Sequence, residues 1–534
     1  MKKTDIAFTA PHHAATKTGQ KILEQGGTAI EAMVAAAATI AVVYPHMNGL
    51  GGDGFWLISE PNKKPIAINA AGKAAKAANL DFYQGHDAIP ARGGKATVTM
   101  AGAVAGWDKA LSISQTWQPS CSLQELFTSA IEQAKHGIQV TQSLANASEK
   151  TYAELKDQQG FSCFLPMGVP LKAGDTLALP KLGETLSLLA NQGLDSFYRG
   201  ELASRLATDL AAAGSPLGLD DFAVYQVELV EPIQVTTRMG TLYNLPAPTQ
   251  GIASLLILAL YDELQATIGP TSEADQIHLL IEATKQAFIV RNRHVTDPAR
   301  FSLAEQDQHQ HLANFLSPPE LTKMRTAISP THAQAWPHEA KQGDTIWMGA
   351  CDQQGRMVSY IQSLYWEFGS GVVSPSTGIV WNNRGTAFSL EAGHPQELQP
   401  ELQPFHTLNP AFAELQDGRR MSYGTMGGEG QPQTQAALFS RYVYQQHSLS
   451  DAIRSGRWLL GRTWGEESHN LKMEADLAAE IGTDLLARGH DLVAVHANNE
   501  LMGHAGAVVC HTDGSTSAAT DPRSDGQAVA SRDE

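Results

Sequence analysis

The chain has 534 residues, 43% of them hydrophobic, and a formal net charge of −17. Its length allows one large layered α/β unit or two average domains. The acidic balance, with no basic run, argues against nucleic acid and anionic membrane surfaces as partners.

The N-terminal MKKTDIAFTAPHH has no apolar segment of signal-peptide length, so a cytoplasmic location is expected. Residues 16–25 are predicted to form a helix closed by Gly26-Gly27, and residues 29–43 a second, Ala-rich helix able to pack closely on a sheet. The apolar stretch 32–44 falls short of the ~20 residues of a membrane-spanning helix and reads as core.

Gly49-Leu50-Gly51-Gly52-Asp53-Gly54 formally matches GxGxxG, but it follows a helix and opens a strand at 55–59. A dinucleotide fingerprint has the opposite order, so NAD binding is rejected. These glycines are expected to admit close backbone approach, by a neighbouring strand or by substrate. Further on, Ile277, Leu280, Ile281, Thr284 and Phe288 share one helical face, ending before Asp297-Pro298. Short strands are predicted around 227–245 and 357–380, and no repeat period is present. Helix pairs flanking hairpin-rich sheets imply a layered α/β sandwich rather than a doubly wound sheet.

The four cysteines (Cys121, Cys163, Cys351, Cys510) lack CxxC spacing and are expected as reduced, mostly buried thiols. Among 19 histidines there is no HExxH and no Cys/His ligand cluster, so no metal is expected. His12-His13 and His309 with His311 read as solvated surface.

Thr345 stands between a polar lead, residues 329–344, and a hairpin made of an apolar run at 346–351, a turn at 352–355 and a strand at 357–361. Breaking Asp344–Thr345 would place a hydroxyl nucleophile beside its own α-amine, a base of pKa about 7.7–8.0. The alternative is a threonine that merely starts a strand. Gly427-Gly428 sits in a tight turn whose N–H groups could converge as an oxyanion hole, or serve only as a turn.

MNGLGGDGFWLI, VTMAGAVAGW, SFYRGEL, LPAPTQG, HLLIEATKQAF, GDTIWMGACD, QSLYWEFGSGVV, WNNRG, FHTLNPAF, GTMGGEGQPQ and ATDPRSDG, in this order over nearly the whole chain, resemble the gamma-glutamyltransferase family. The resemblance implies an N-terminal-nucleophile hydrolase fold, a four-layer αββα sandwich within the α/β (α+β) class, made as a proenzyme that cuts itself. It implies Thr345 as nucleophile and new N-terminus, cleavage at Asp344–Thr345 into chains of 344 and 190 residues, and Gly427 and Gly428 as oxyanion donors. No cofactor is needed. A heterodimer of the two fragments, able to pair again, is implied.

Glutamyl-specific members of that family hold the substrate α-carboxylate with an arginine and its α-ammonium with an aspartate. The aligned positions here are Ala71, with Lys73 the nearest cation, and the segment Arg384-Gly385-Thr386-Ala387. Tyr365, beside Trp366, replaces a polar asparagine. Losing both poles of the clamp argues against glutamyl specificity. Lys73 and Arg384 could meet a carboxylate, or be a surface lysine and a structural ion-pair partner. His406, Thr407 and Asn409 stand where relatives line the pocket, or form a structural turn. The pattern is similar to the oxamate amidohydrolase branch, which hydrolyses oxamate to oxalate and ammonia in purine-ring catabolism. A γ-glutamyl peptide or glutathione hydrolase and an uncleaved binding protein remain as alternatives.

Overall fold

The protein is described by a computed structural model covering residues 3–269, 272–300, 308–336, 344–461 and 469–532. Of the polar lead before Thr345, residues 337–343 lie outside the described residues. Thirteen described strands build two sheets: β1 Ala7–Ala10, β2 Asp53–Ser59, β3 Ile66–Ala70, β4 Glu228–Val230, β5 Ile233–Thr237, β6 Gly240–Asn244, β7 Asp344–Cys351, β8 Met357–Tyr365, β9 Ala411–Leu415, β10 Arg420–Thr425, β11 Ala505–Cys510, β12 Thr516–Thr520 and β13 Gln527–Val529. The first sheet runs β13-β1-β7-β8-β2-β3-β4 and the second β12-β11-β10-β9-β6-β5. All of the neighbouring pairs within them are antiparallel.

Strand side chains alternate between faces, and both faces of each sheet are apolar. Phe55, Leu57, Trp347, Ile361, Phe412 and Val508 fill the layer between the sheets. On the outer face of the first sheet, Trp56, Ile58, Ile346, Met348 and Val358 pack on α1 His13–Glu24, α2 Ala29–Val43 and α3 Ala103–Ser114. On the outer face of the second, Leu242, Ala413, Met421 and Val509 pack on α4 Gly251–Ile268, α5 Glu273–His294 and α6 Gln431–Phe439. The layers are therefore αββα, as the motif resemblance implies.

Helix α2 has the predicted bounds. Thr28 and Glu31 form a reciprocal capping box, and every residue of the helix is buried. The β7–β8 hairpin turns at Asp352, whose carboxylate accepts from Gln354 N, Arg356 N and Arg356 Nε, and from Ala29 N at the start of α2. That one side chain ties the hairpin to the helical layer.

Two expectations need correction. Past β8 there is no further regular strand up to residue 380, only a bridge between Val373 and Val380. His12 is buried rather than solvated: its Nδ1 accepts from Ala14 N at 3.2 Å and caps α1. Among the described helices α4, not the 32–44 stretch, is long and apolar enough to match a membrane span by composition; 72% of it is buried inside the protein, which makes it a core helix.

Candidate active site

Thr345 is fully buried at the start of β7. Period-2 alternation puts it on the face of Trp347 and Cys351, toward the second sheet. Ile346 pairs with Gln362 and Asp344 with Tyr365, so Thr345 stands opposite an irregularity formed by Ser363 and Leu364. Tyr365 closes that bulge with φ +84°, a conformation that an aromatic residue holds only when its surroundings impose it. Its N–H donates to Ser363 Oγ at 2.8 Å.

Ser363 pairs with Asp53 of β2, and one step beyond the Gly54–Ala70 pair lies Ala71. Thr345, Ser363, Asp53 and Ala71 thus form one row across four chain segments, facing the inter-sheet layer. With strands about 4.8 Å apart, Asp53 lies about 10 Å from Thr345. The glycines before Asp53 serve backbone approach to protein: a Cβ on Gly51 would fall 2.0 Å from Val380 O, and one on Gly52 2.2 Å from Ser363 O.

The second sheet brings the glycine turn. Trp347 of β7 lies against Gly424 near the end of β10, where a Cβ would stand 2.3 Å from the indole. The chain then reaches Gly427 and Gly428 at φ +116° and +53°. No acceptor for either N–H occurs among the described residues. Gln250 braces the turn: its Nε2 donates to Gly428 O at 2.8 Å and Thr407 O at 2.7 Å. Gln250 Oε1 accepts from Arg291 Nη1 at 2.9 Å, and Arg291 Nη2 donates to Glu429 Oε2 at 2.7 Å in a buried ion pair.

Arg384 is the cation of the site. It is 1% exposed, its guanidinium carbon lies 3.7 Å from the Tyr365 ring centroid, and Nη1 donates to Thr407 Oγ1 at 3.2 Å. Nε and Nη2 have no hydrogen-bond partner among the described residues. Burial lowers its pKa to about 10, and the charges of Tyr365 and Asp53 oppose the shift.

His406 Nε2 donates to Asp53 Oδ2 at 3.0 Å, and Gly72 N donates to Oδ1 at 2.9 Å. Burial pushes the Asp53 carboxyl up to about 7, against the pull of Arg384 and the Gly72 and Gly102 N–H groups. Burial, then Arg384, holds His406 well below the ordinary histidine value, so the contact is a hydrogen bond from a neutral imidazole. His406 also meets the Phe55 ring edge-on, with centroids 4.6 Å apart.

Tyr365, Arg384 and Thr407 are therefore brought together, with His406 on Asp53, along the row that starts at Thr345. Lys73 is not: its ammonium lies 3.1 Å from Glu228, and both side chains are 45% exposed. The motif gave no measure of burial, and a solvated lysine pairs with a surface carboxylate instead of entering the layer. Asn409 Nδ2 turns toward the helices, donating to Ser254 Oγ at 2.6 Å. Arg384 forms no ion pair of its own among the described residues. Sequence reading missed Asp53, Gln250, Arg291 and Glu429. Asp53 could have been found as the one charged residue in an otherwise glycine-rich strand entry.

One other cluster has metal-ligand chemistry. His278, Glu282 and His490 offer ligand atoms within 4.8 Å of one another. Lys285 Nζ already lies 2.5 Å from Glu282 Oε1, so an internal ammonium fills the cation position.

Comparison with known proteins agrees with this geometry. The model of a family described as gamma-glutamyltranspeptidase matches residues 15–531. The chain belongs to the gamma-glutamyltranspeptidase family. Among members of this family, the oxamate amidohydrolase proenzyme of Klebsiella pneumoniae subsp. pneumoniae is 49% identical over 522 residues, 97% of each chain. The glutathione hydrolase-like YwrD proenzyme of Bacillus subtilis is 35% identical over 531 residues, 98% of each. The crystal structure of cephalosporin acylase from Bacillus halodurans superposes with a TM-score of 0.86 at 28% identity, covering 100% of this chain and 97% of that one. The fold is that of the N-terminal-nucleophile hydrolases.

Proposed function

We propose that this protein is a self-processing amidohydrolase that cuts its own Asp344–Thr345 bond and then hydrolyses oxamate to oxalate and ammonia. The observation that carries the substrate reading is Arg384: a buried guanidinium stacked on Tyr365, with two nitrogens, Nε and Nη2, unpartnered among the described residues. A planar fork of this kind suits a carboxylate held through two parallel bonds. The similarity to an oxamate amidohydrolase proenzyme supports the same choice.

In the precursor, the Thr345 hydroxyl attacks the Asp344 carbonyl carbon. The peptide C–N bond breaks as the acyl group moves to oxygen, and the proton passes to the freed amine. Water then hydrolyses the ester, leaving fragments 1–344 and 345–534. In the mature site the α-amine takes the hydroxyl proton as Oγ1 attacks the substrate amide carbon. The N–H groups of Gly427 and Gly428 receive the developing oxyanion. The amine returns the proton to the leaving nitrogen, ammonia departs, and water attacks the acyl-threonine ester to release oxalate. The fragments remain paired as a heterodimer, and further pairing into a dimer of heterodimers is part of the proposal. Cytoplasmic residence is too; all four cysteines are free thiols.

A γ-glutamyl hydrolase is the second reading, and Asp53 favours it, since a carboxyl near Arg384 could meet an α-ammonium. Against it, both Asp53 oxygens are already engaged in protein hydrogen bonds and burial favours the neutral acid. The test is ammonia release from oxamate beside cleavage of a γ-glutamyl anilide, with intact mass of wild type and Thr345→Ala. Two fragments in the wild type alone and turnover of oxamate alone are expected. Turnover of the anilide alone would overturn the substrate, and an uncut wild-type chain would overturn the mechanism.

A further inference from the structure

We propose that Thr425 is a positioning residue for amide hydrolysis: its hydroxyl holds the peptide that carries the Gly427 N–H, and so aims the first oxyanion donor. This rests on the reading that the Gly427 and Gly428 N–H groups receive the oxyanion. Thr425 ends β10 and is fully buried. Its Oγ1 donates to Met426 O at 2.7 Å, and no other hydrogen bond to that carbonyl occurs among the described residues. Met426 O and the Gly427 N–H belong to one planar trans peptide group, in which carbonyl and N–H point in opposite directions. Fixing the oxygen therefore fixes the line along which the N–H points.

Packing holds the same peptide from another side. Gly503, at φ +79°, lies so close that a Cβ on it would stand 2.4 Å from Met426 O and 2.6 Å from Thr425 Oγ1. Gly503 is itself anchored: Arg457 Nη1 donates to Met502 O and Gly503 O, each at 2.9 Å, and Arg457 forms a buried ion pair with Asp521. The second donor is aimed by backbone alone, because Gly427 O, across the peptide from the Gly428 N–H, accepts from Gly430 N at 2.9 Å. Thr425 is thus the side chain on which the aim of one donor depends.

A threonine at the end of a buried strand also has a plain structural use, its β-branched shape. Valine supplies that shape without the hydroxyl, and serine supplies the hydroxyl without the shape. A preorganised donor stabilises the transition state only if its direction is set before charge develops. Freeing Met426 O lets the Gly427 N–H swing, which slows the chemical step and leaves ground-state binding as it was.

The experiment is steady-state turnover, by cut enzyme, of whichever amide the wild type cleaves, oxamate or the γ-glutamyl anilide, with the cut fraction taken from intact mass. Thr425→Val should lower kcat about tenfold at unchanged KM, less than the about 10²–10³ that loss of a donor costs, and Thr425→Ser should stay close to wild type. Thr425→Ala and Thr425→Ser differ by the hydroxyl alone, and that pair decides if the valine variant does not fold or cut itself. Wild-type kcat in Thr425→Val, equal kcat in the alanine and serine variants, or a change confined to KM overturns the proposal. Gly427→Ala in the same assay tells the two levels apart. An unchanged kcat there sinks the oxyanion reading and the role of Thr425 with it, whereas a fall there beside wild-type kcat in Thr425→Val sinks only the role of Thr425.

Discussion

The guanidinium of Arg384 lies 3.7 Å from the centre of the Tyr365 ring, and the φ of +84° at Tyr365 is what turns that ring beneath it. The bulge opposite Thr345 and the buried Arg384 cation are therefore one device. A cation over an aromatic face gains up to about 2 kcal/mol when desolvated, which offsets part of burying the charge.

Arg384→Met should raise KM for oxamate by about ten- to a hundredfold, the equivalent of charge-assisted bonds of about 1.5–3 kcal/mol. Arg384→Lys should recover little of it, because an ammonium has no planar fork and stacks poorly on Tyr365. Steady-state ammonia release checks both; an unchanged KM would remove Arg384 from the substrate site.

Gly427→Ala acts on the other end of the reaction. At φ +116° a Cβ forces the turn to shift, and loss of one oxyanion donor lowers kcat by about 10²–10³ with little change in KM. The measurement is made on enzyme already cut. A rise in KM at constant kcat would mean that the turn only shapes the pocket.

Arg291→Met removes the guanidinium that faces the buried Glu429 carboxylate, and should destabilise the protein by about 3–5 kcal/mol. Arg291→Met with Glu429→Leu should regain most of that, because the pair is then replaced by apolar groups. Thermal unfolding of the two variants separates the outcomes: equal losses would show that Glu429 draws nothing from Arg291.

Acid should weaken the fold through buried histidines. His46, His12 and His490 each have a pKa lowered from 6.5 to about 3, chiefly by burial. Their stabilising contribution is fully present above the unfolded pKa and declines as pH falls from about 6.5 toward 3, because there the unfolded chain binds protons that the folded one refuses. His46→Asn should therefore lose less Tm than the wild type between pH 7.5 and pH 5. A steeper loss in the variant would contradict the assignment.

The layers, the hairpin that follows Thr345 and the turn at Gly427-Gly428 are legible because each rests on local order: a capping box before an alanine run, a hairpin after a polar lead, paired glycines after a strand. His406 and Thr407 came with a motif for the same reason. Asp53 did not, since its place in the row depends on register between β2 and β8, strands some 300 residues apart in the chain. Lys73 and Arg384 looked alike as cations near motifs. Only tertiary burial tells them apart, one half exposed against Glu228 and the other sealed over Tyr365.

The strand order of the two sheets has a consequence for assembly. If the chain is cut before Thr345 as proposed, β13, β8 and β7 from Thr345 onward go with the second fragment in the first sheet, while β1 lies between β13 and β7, and β2, β3 and β4 complete the edge from the other fragment; in the second, β9 abuts β6 across the same division. Neither piece holds a complete sheet. The single chain folds in a reaction that is independent of concentration, but once it is cut, recovery from denaturation requires two different chains to meet. Dilution should then suppress refolding of the cut enzyme while leaving that of Thr345→Ala untouched, so self-cleavage converts a reversible fold into one kept by its barrier to unfolding.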